Sequence, residues 1–96
     1  MVVTQPCFVV EATYAPDAAT KRVPFRDRHV ERMGKLSDEG ALILAGAYDD
    51  MSSSLLVFTV ETEESVRAII ESDIYMKEGV WTGYAIKLLN RVAFDG

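Results

Sequence analysis

The chain contains a single histidine, His29, in the stretch VPFRDRHVERMGKL, and a carboxylate that could serve it, Asp73, far downstream in ESDIYMKEG. A carboxylate bonded to one imidazole nitrogen fixes the tautomer and raises the basicity of the other nitrogen, so such a pair can shuttle a proton at neutral pH. Arg26 stands three residues before His29, one helical turn away, where a guanidinium can share a space with the imidazole and hold a carboxylate, phenolate or enolate. Arg22 and Arg28 are close by, and ordinary surface charge is the plainer reading of any one of them. Tyr75 and Trp81, with Met76 between them, can wall a small aromatic pocket beside Asp73, although aromatics at a strand entrance commonly serve core or interface. The serine cluster of Ser52, Ser53 and Ser54 offers a hydroxyl donor, with Ser53 at its centre; most such clusters are simply turns. Glu11, inside an apolar strand, would need a partner if buried. Taken alone, the residues favour the ordinary reading: a satisfied, half-buried histidine and a helix-end aspartate.

Other chemistries lack their residues. No glycine-rich phosphate loop, two-histidine metal pair or serine elbow is present, so the sequence points to no nucleotide, metal or cofactor. Cys7 is the only cysteine, which excludes an internal disulfide and a thiolate cluster. A net charge of −5 opposes a phosphate backbone, and the cations between Lys21 and Lys35 are interleaved with Asp27 and Glu31, which argues against nucleic acid. No apolar run is long enough for a membrane span, and the start of the chain has no basic leader or cleavage signature, so a cytoplasmic protein is expected.

The elements that must position these residues can be read in order. Ninety-six residues suit one domain, taken as 1–96. CFVVEATY, after Pro6, predicts a first strand over 7–14. Pro24 then opens a helix in which Phe25, His29, Met33 and Leu36 recur at helical spacing, and Gly40 closes it as a left-handed cap. ALILAGAY and SLLVFTVE form a hairpin around DDMSS. Thr62 caps a second helix with Glu63 and Glu64 in its first turn and Val66, Ile69 and Ile70 inward, ending near Ser72. SDIYMKEGVW reads as a loop, and TGYAIKLLNRV as a last strand with Tyr84, Ile86 and Leu88 on one side. The order βαββαβ predicts an α+β, ferredoxin-like fold: a four-stranded antiparallel sheet with both helices on one face.

That arrangement leaves the other sheet face bare, yet the strands are apolar on both sides. Cys7 and Val9 oppose Phe8 and Val10, and Leu55 and Val57 oppose Leu56 and Phe58, where a half-exposed sheet should alternate apolar with polar. A second copy is the simplest cover, so a homodimer burying about 800 Å² or more per partner is expected.

Arg-x-x-His at the first helix, DEGALILAG leading into the second strand, the unit VFTVETEESVRAIIESD and a short aromatic loop into the last strand together resemble the YciI-like family over nearly the whole chain. Ile74 and Ala47 depart from it, since members often carry proline at both places. The resemblance implies a dimeric ferredoxin-like α/β barrel. It also implies a histidine–aspartate dyad as the family's candidate active site, which maps onto His29 and Asp73. Some members resemble catabolic enzymes of ring compounds, lactone isomerases and dehydrochlorinases of chlorinated hydroxyquinols. The function expected is therefore a lyase or isomerase that removes a proton next to a carbonyl in a small hydroxylated ring substrate without a cofactor. Two other readings stay open: a binding or assembly module that holds a small acid, and a monooxygenase on the same barrel. An idealised version of the fold puts the start of the first helix and the end of the second toward opposite ends of the layer. The dyad therefore requires the chain after Ser72 to fold back.

Overall fold

The computed structural model describes residues 3–94: β1 (Val3–Tyr14), α1 (Ala18–Lys21), α2 (Arg26–Asp38), β2 (Leu42–Ala47), β3 (Ser53–Phe58), α3 (Glu63–Glu71), α4 (Ile74–Lys77) and β4 (Trp81–Ala93). The strands form one antiparallel sheet in the order β2-β3-β1-β4, the ferredoxin-like arrangement expected from the element order.

Alternation within the strands decides which face meets the helices. Val10, Ala12 and Tyr14 of β1 are buried with Leu56 and Phe58 of β3, against Met33 of α2 and Val66 and Ile70 of α3. Each large aliphatic side chain so enclosed contributes roughly 1.5–3 kcal/mol. α2 ends as its glycine requires: Gly40 takes φ +80°, its N–H reaches the Ser37 carbonyl at 3.0 Å, and the Ala41 N–H reaches Leu36 at 2.9 Å. This is a Schellman closure that a Cβ at Gly40 would strain. The Thr62 hydroxyl caps α3 by accepting from the Ser65 N–H at 3.1 Å, with Glu63 and Glu64 in the first turn.

Three expectations are corrected. The segment read as a loop after Ser72 contains α4, and a second four-residue helix, α1, precedes α2; neither is long enough to display a helical period. β1 begins at Val3 rather than Cys7. Val3–Cys7 pairs only with Leu89–Ala93, because β3 stops at Phe58 opposite Phe8, so Pro6 interrupts no ladder on its other side. Leu88, opposite Phe8 at the last three-stranded position, is 59% exposed, and Leu89 and Val92, on the two-stranded ribbon that follows, are exposed in large part. Glu11 is exposed within the chain, on the uncovered face with Val9 and Lys87, and so is not a buried acid.

No described helix is long and apolar enough to cross a membrane.

Candidate active site

His29 opens the second turn of α2, its N–H donating to the Phe25 carbonyl at 3.1 Å. Helical side chains lean toward the helix start, so the imidazole hangs back over the first turn, the turn that holds Arg26. Asp73 arrives from the other direction. The chain leaves α3 at Ser72, and Asp73, in an extended conformation, caps α4 by accepting the Tyr75 N–H at 2.9 Å. This helix-to-helix corner brings the aspartate back onto α2. His29 Nδ1 and Asp73 Oδ1 are 2.8 Å apart, with His29 8% and Asp73 0% exposed. Ile74, where the family resemblance implies proline, is the first residue of α4, a position that tolerates either residue.

The second carboxylate oxygen is also occupied. Arg32, one turn beyond His29, donates from Nη1 to Asp73 Oδ2 at 3.1 Å and to the Ile69 carbonyl at 2.8 Å, and from Nη2 to Ser72 Oγ at 2.8 Å. One guanidinium thus ties the end of α3 to α2 and holds the aspartate. Burial is the largest single influence on the Asp73 carboxyl and would push its pKa up. The His29 hydrogen bond and charge, the Tyr75 N–H and Arg32 together outweigh burial and hold it below the ordinary carboxylate value. An ionised carboxylate can only accept, so His29 carries its proton on Nδ1. Nε2 is left as the basic nitrogen.

Aromatic rings fix the imidazole plane. Tyr75 stacks on it at 3.8 Å between centroids and 10° between planes, and Trp81 meets it edge-on at 5.1 Å. The β1–β4 register shifts between Thr13 and Tyr14, setting Tyr14 opposite Trp81 so that both point into the helix layer. Trp81 is 1% exposed, and its Nε1 has no hydrogen-bond partner among the described residues.

His29 and Tyr75 open onto a cleft of about 240 Å³. Arg22 and Arg26 line it together with Tyr14 and Ser54, and Val30, Met33 and the β2 segment Ala45–Ala47 form its apolar side. Of the residues singled out in the sequence, His29, Arg22, Arg26 and Tyr75 border this space. Asp73 lies buried behind the histidine, and Trp81 packs behind the rings rather than lining the cleft. Ser53 is displaced from its expected place: it pairs with Thr13 on the uncovered face, whereas Ser54, beside Ala12, faces the helices. The Ser54 hydroxyl donates to the Gly46 carbonyl at 3.0 Å, which leaves its lone pairs, not its proton, for a ligand. Arg28 lies over the Phe25 ring at 5.7 Å. Arg32 and Tyr14 are absent from the sequence candidates, and within the serine cluster it is Ser54 rather than Ser53 that lines the cleft; for Arg32 the available signal was its spacing of one turn from His29.

A ferredoxin-like sheet carrying a buried histidine–aspartate pair beneath a cleft defines the class. Within it, the chain belongs to the YCII-related domain family, whose pattern matches residues 7–90. It is 27% identical over 95 residues to Protein YciI of Escherichia coli, covering 88% of this chain and 97% of that protein, and Protein YciI of Shigella flexneri matches to the same extent. Among solved structures, 5-chloro-2-hydroxyhydroquinone dehydrochlorinase (TftG) from Burkholderia phenoliruptrix, in complex with 2,5-dihydroxybenzoquinone, aligns with a TM-score of 0.72. That alignment covers 84% of this chain and 90% of TftG; at 19% identity it speaks for the fold.

Proposed function

We propose that this protein is a cofactor-independent lyase or isomerase of small hydroxylated ring compounds, chlorinated ones included, with His29 as general base. The observation that carries the reading is the buried 2.8 Å hydrogen bond between His29 Nδ1 and Asp73, which orients Nε2 as a base beside an open cleft. Nε2 takes a proton from the carbon next to a carbonyl in the keto tautomer of the substrate. The C–H electron pair becomes a C=C bond and the carbonyl oxygen takes the negative charge. Asp73 stabilises the imidazolium so formed, and Arg26 stabilises the enolate oxygen. Collapse of the enolate expels chloride from the neighbouring carbon, for a net loss of HCl. Where no leaving group is present, the imidazolium returns its proton to a different carbon and the product is an isomer. The similarity to a dehydrochlorinase that binds a dihydroxybenzoquinone supports this substrate class.

His29→Asn should lower turnover of a chlorinated hydroxyquinol by roughly 10²–10⁴-fold, the usual scale of a general base. Chloride release followed with an ion-selective electrode reads this directly, and undiminished release would exclude the role.

The same reading includes a homodimer joined through the uncovered sheet face, where Leu44 and Leu89 are 53% and 48% exposed. Light scattering at micromolar concentration should report twice the chain mass; a monomer there would remove this part of the proposal.

A further inference from the structure

Arg32 is bound to Asp73, Lys35 lies 3.9 Å from Glu31, and Arg67 meets Glu63 at 3.1 Å. Lys21, Arg22, Arg26, Arg28 and Lys77 are the cations of the helix layer that form no ion pair among the described residues, and of these Arg22 and Arg26 are the two that line the cleft. The turn between α1 and α2 brings them there: Arg22 is the C-cap of α1, Arg26 is the first residue of α2, and the Phe25 N–H closes the turn on the Arg22 carbonyl at 2.9 Å. In a chain of net charge −5, the rim of the cleft is therefore locally and doubly positive. The charges also reach its depth. Burial and the Tyr14 hydroxyl raise the pKa of the Tyr75 phenol, and Arg22 and Arg26 both oppose that rise. Tyr75 is the ring stacked on His29, so the two guanidiniums and the imidazole look into one space. An apolar cavity of about 150 Å³ accommodates benzene, and this cleft of about 240 Å³ has room for one substituted ring.

We propose that the cleft selects its ligand as an anion: a single ring bearing an ionised oxygen, carboxylate or acidic phenol, gripped jointly by Arg22 and Arg26 while the rest of the ring faces His29. This rests on the reading of the cleft as a site for small ring compounds, and adds that charge admits the ligand and that Arg22 is a binding residue. Two guanidiniums on one oxyanion group give charge-assisted hydrogen bonds about twice as strong as neutral ones. Isosteric neutral rings lack that gain.

The test is calorimetric titration of the full-length protein with benzoate, with benzamide, and with 4-nitrophenol in mildly alkaline buffer where it is ionised. At least one anion should bind about tenfold or more tightly than benzamide, and whichever anion binds better identifies the head group. Arg22→Gln and Arg26→Gln should each weaken the preferred anion by about tenfold and leave benzamide unchanged, and added salt should act the same way. Equal affinity for benzoate, nitrophenolate and benzamide, failure of both anions to bind, or unchanged affinity for the preferred anion in Arg22→Gln would overturn the clamp. His29→Asn separates this from the catalytic reading. If that variant loses turnover while the wild type shows no preference for anions, the clamp fails and the base stands. If it keeps turnover while anions are preferred, the base fails and the clamp stands.

Discussion

The two sides of His29 differ in how their charges are settled. Behind Nδ1, polar groups converge and are paired: one Asp73 oxygen accepts from the imidazole and the Tyr75 N–H, the other accepts from Arg32, and Arg32 also serves the end of α3. In front, Arg22 and Arg26 face the cleft without an acid among the described residues. A buried ion is tolerable only when it is paired and hydrogen-bonded. The closed side therefore belongs to the architecture, and polar groups left unmatched on the open side are available to a ligand. Stability should depend on the first set and binding on the second.

The largest break in that division should come from Asp73→Ala, which strands His29, Arg32 and the Tyr75 N–H around a vacated buried position. Removing one partner of a buried ion pair costs about 3–5 kcal/mol. Urea denaturation should register a loss of that order, and a variant as stable as the wild type would show that the closed side does not hold the fold together. Acid should reveal the same group more gently. Because the folded protein holds the Asp73 carboxyl below its ordinary value, its contribution is complete above the unfolded-state pKa of about 3.9. The contribution is lost as pH falls through the lower folded value. The stability gap between wild type and Asp73→Asn should accordingly narrow on going from neutral pH to about pH 3, and a gap that stays constant would remove the carboxylate's charge from the account.

Arg32→Ala is expected to have a smaller effect. Its side chain is 33% exposed, so water replaces part of what it supplies, and a loss of about 1 kcal/mol is expected, with acid unfolding beginning at higher pH. At the other extreme, Arg22→Gln should change stability by less than about 0.5 kcal/mol. A larger loss in thermal or urea melts would mean that Arg22 has a structural partner and is not free for a ligand.

How far the site could be read from the sequence depended on whether its parts were local. The spacing of Phe25, His29, Met33 and Leu36, the left-handed Gly40 and the Thr62 cap are local signals, and the helices form where they indicate. α1 and α4 have four residues each and carry no period, so the helix that Asp73 caps could not be seen before the fold brought it round. Ser53 and Ser54 differ by one residue, and in a strand one residue is the difference between opposite faces; the register with Thr13 and Ala12 settles which serine looks at the helices. Arg32 carried one local mark, its spacing of one turn from His29, but its partners Ile69, Ser72 and Asp73 are separated from it along the chain by two strands, so the role of that spacing could not be read. The start of β1 was misplaced because a two-stranded ribbon beyond the helices has no inward face to impose a pattern.

The sequence by itself determined the order of the four strands and the two longer helices and the caps that bound those helices, since dihedral preference, capping and apolar period act over a few residues. It also supplied one imidazole and one suitable acid. Only the tertiary structure decided that the acid, the imidazole and Arg32 form one buried network while Arg22 and Arg26 are left facing a cleft. Pairing of charges depends on distances across a layer that no local interaction sets, and whether a cation is matched or open follows from where separate elements come to rest.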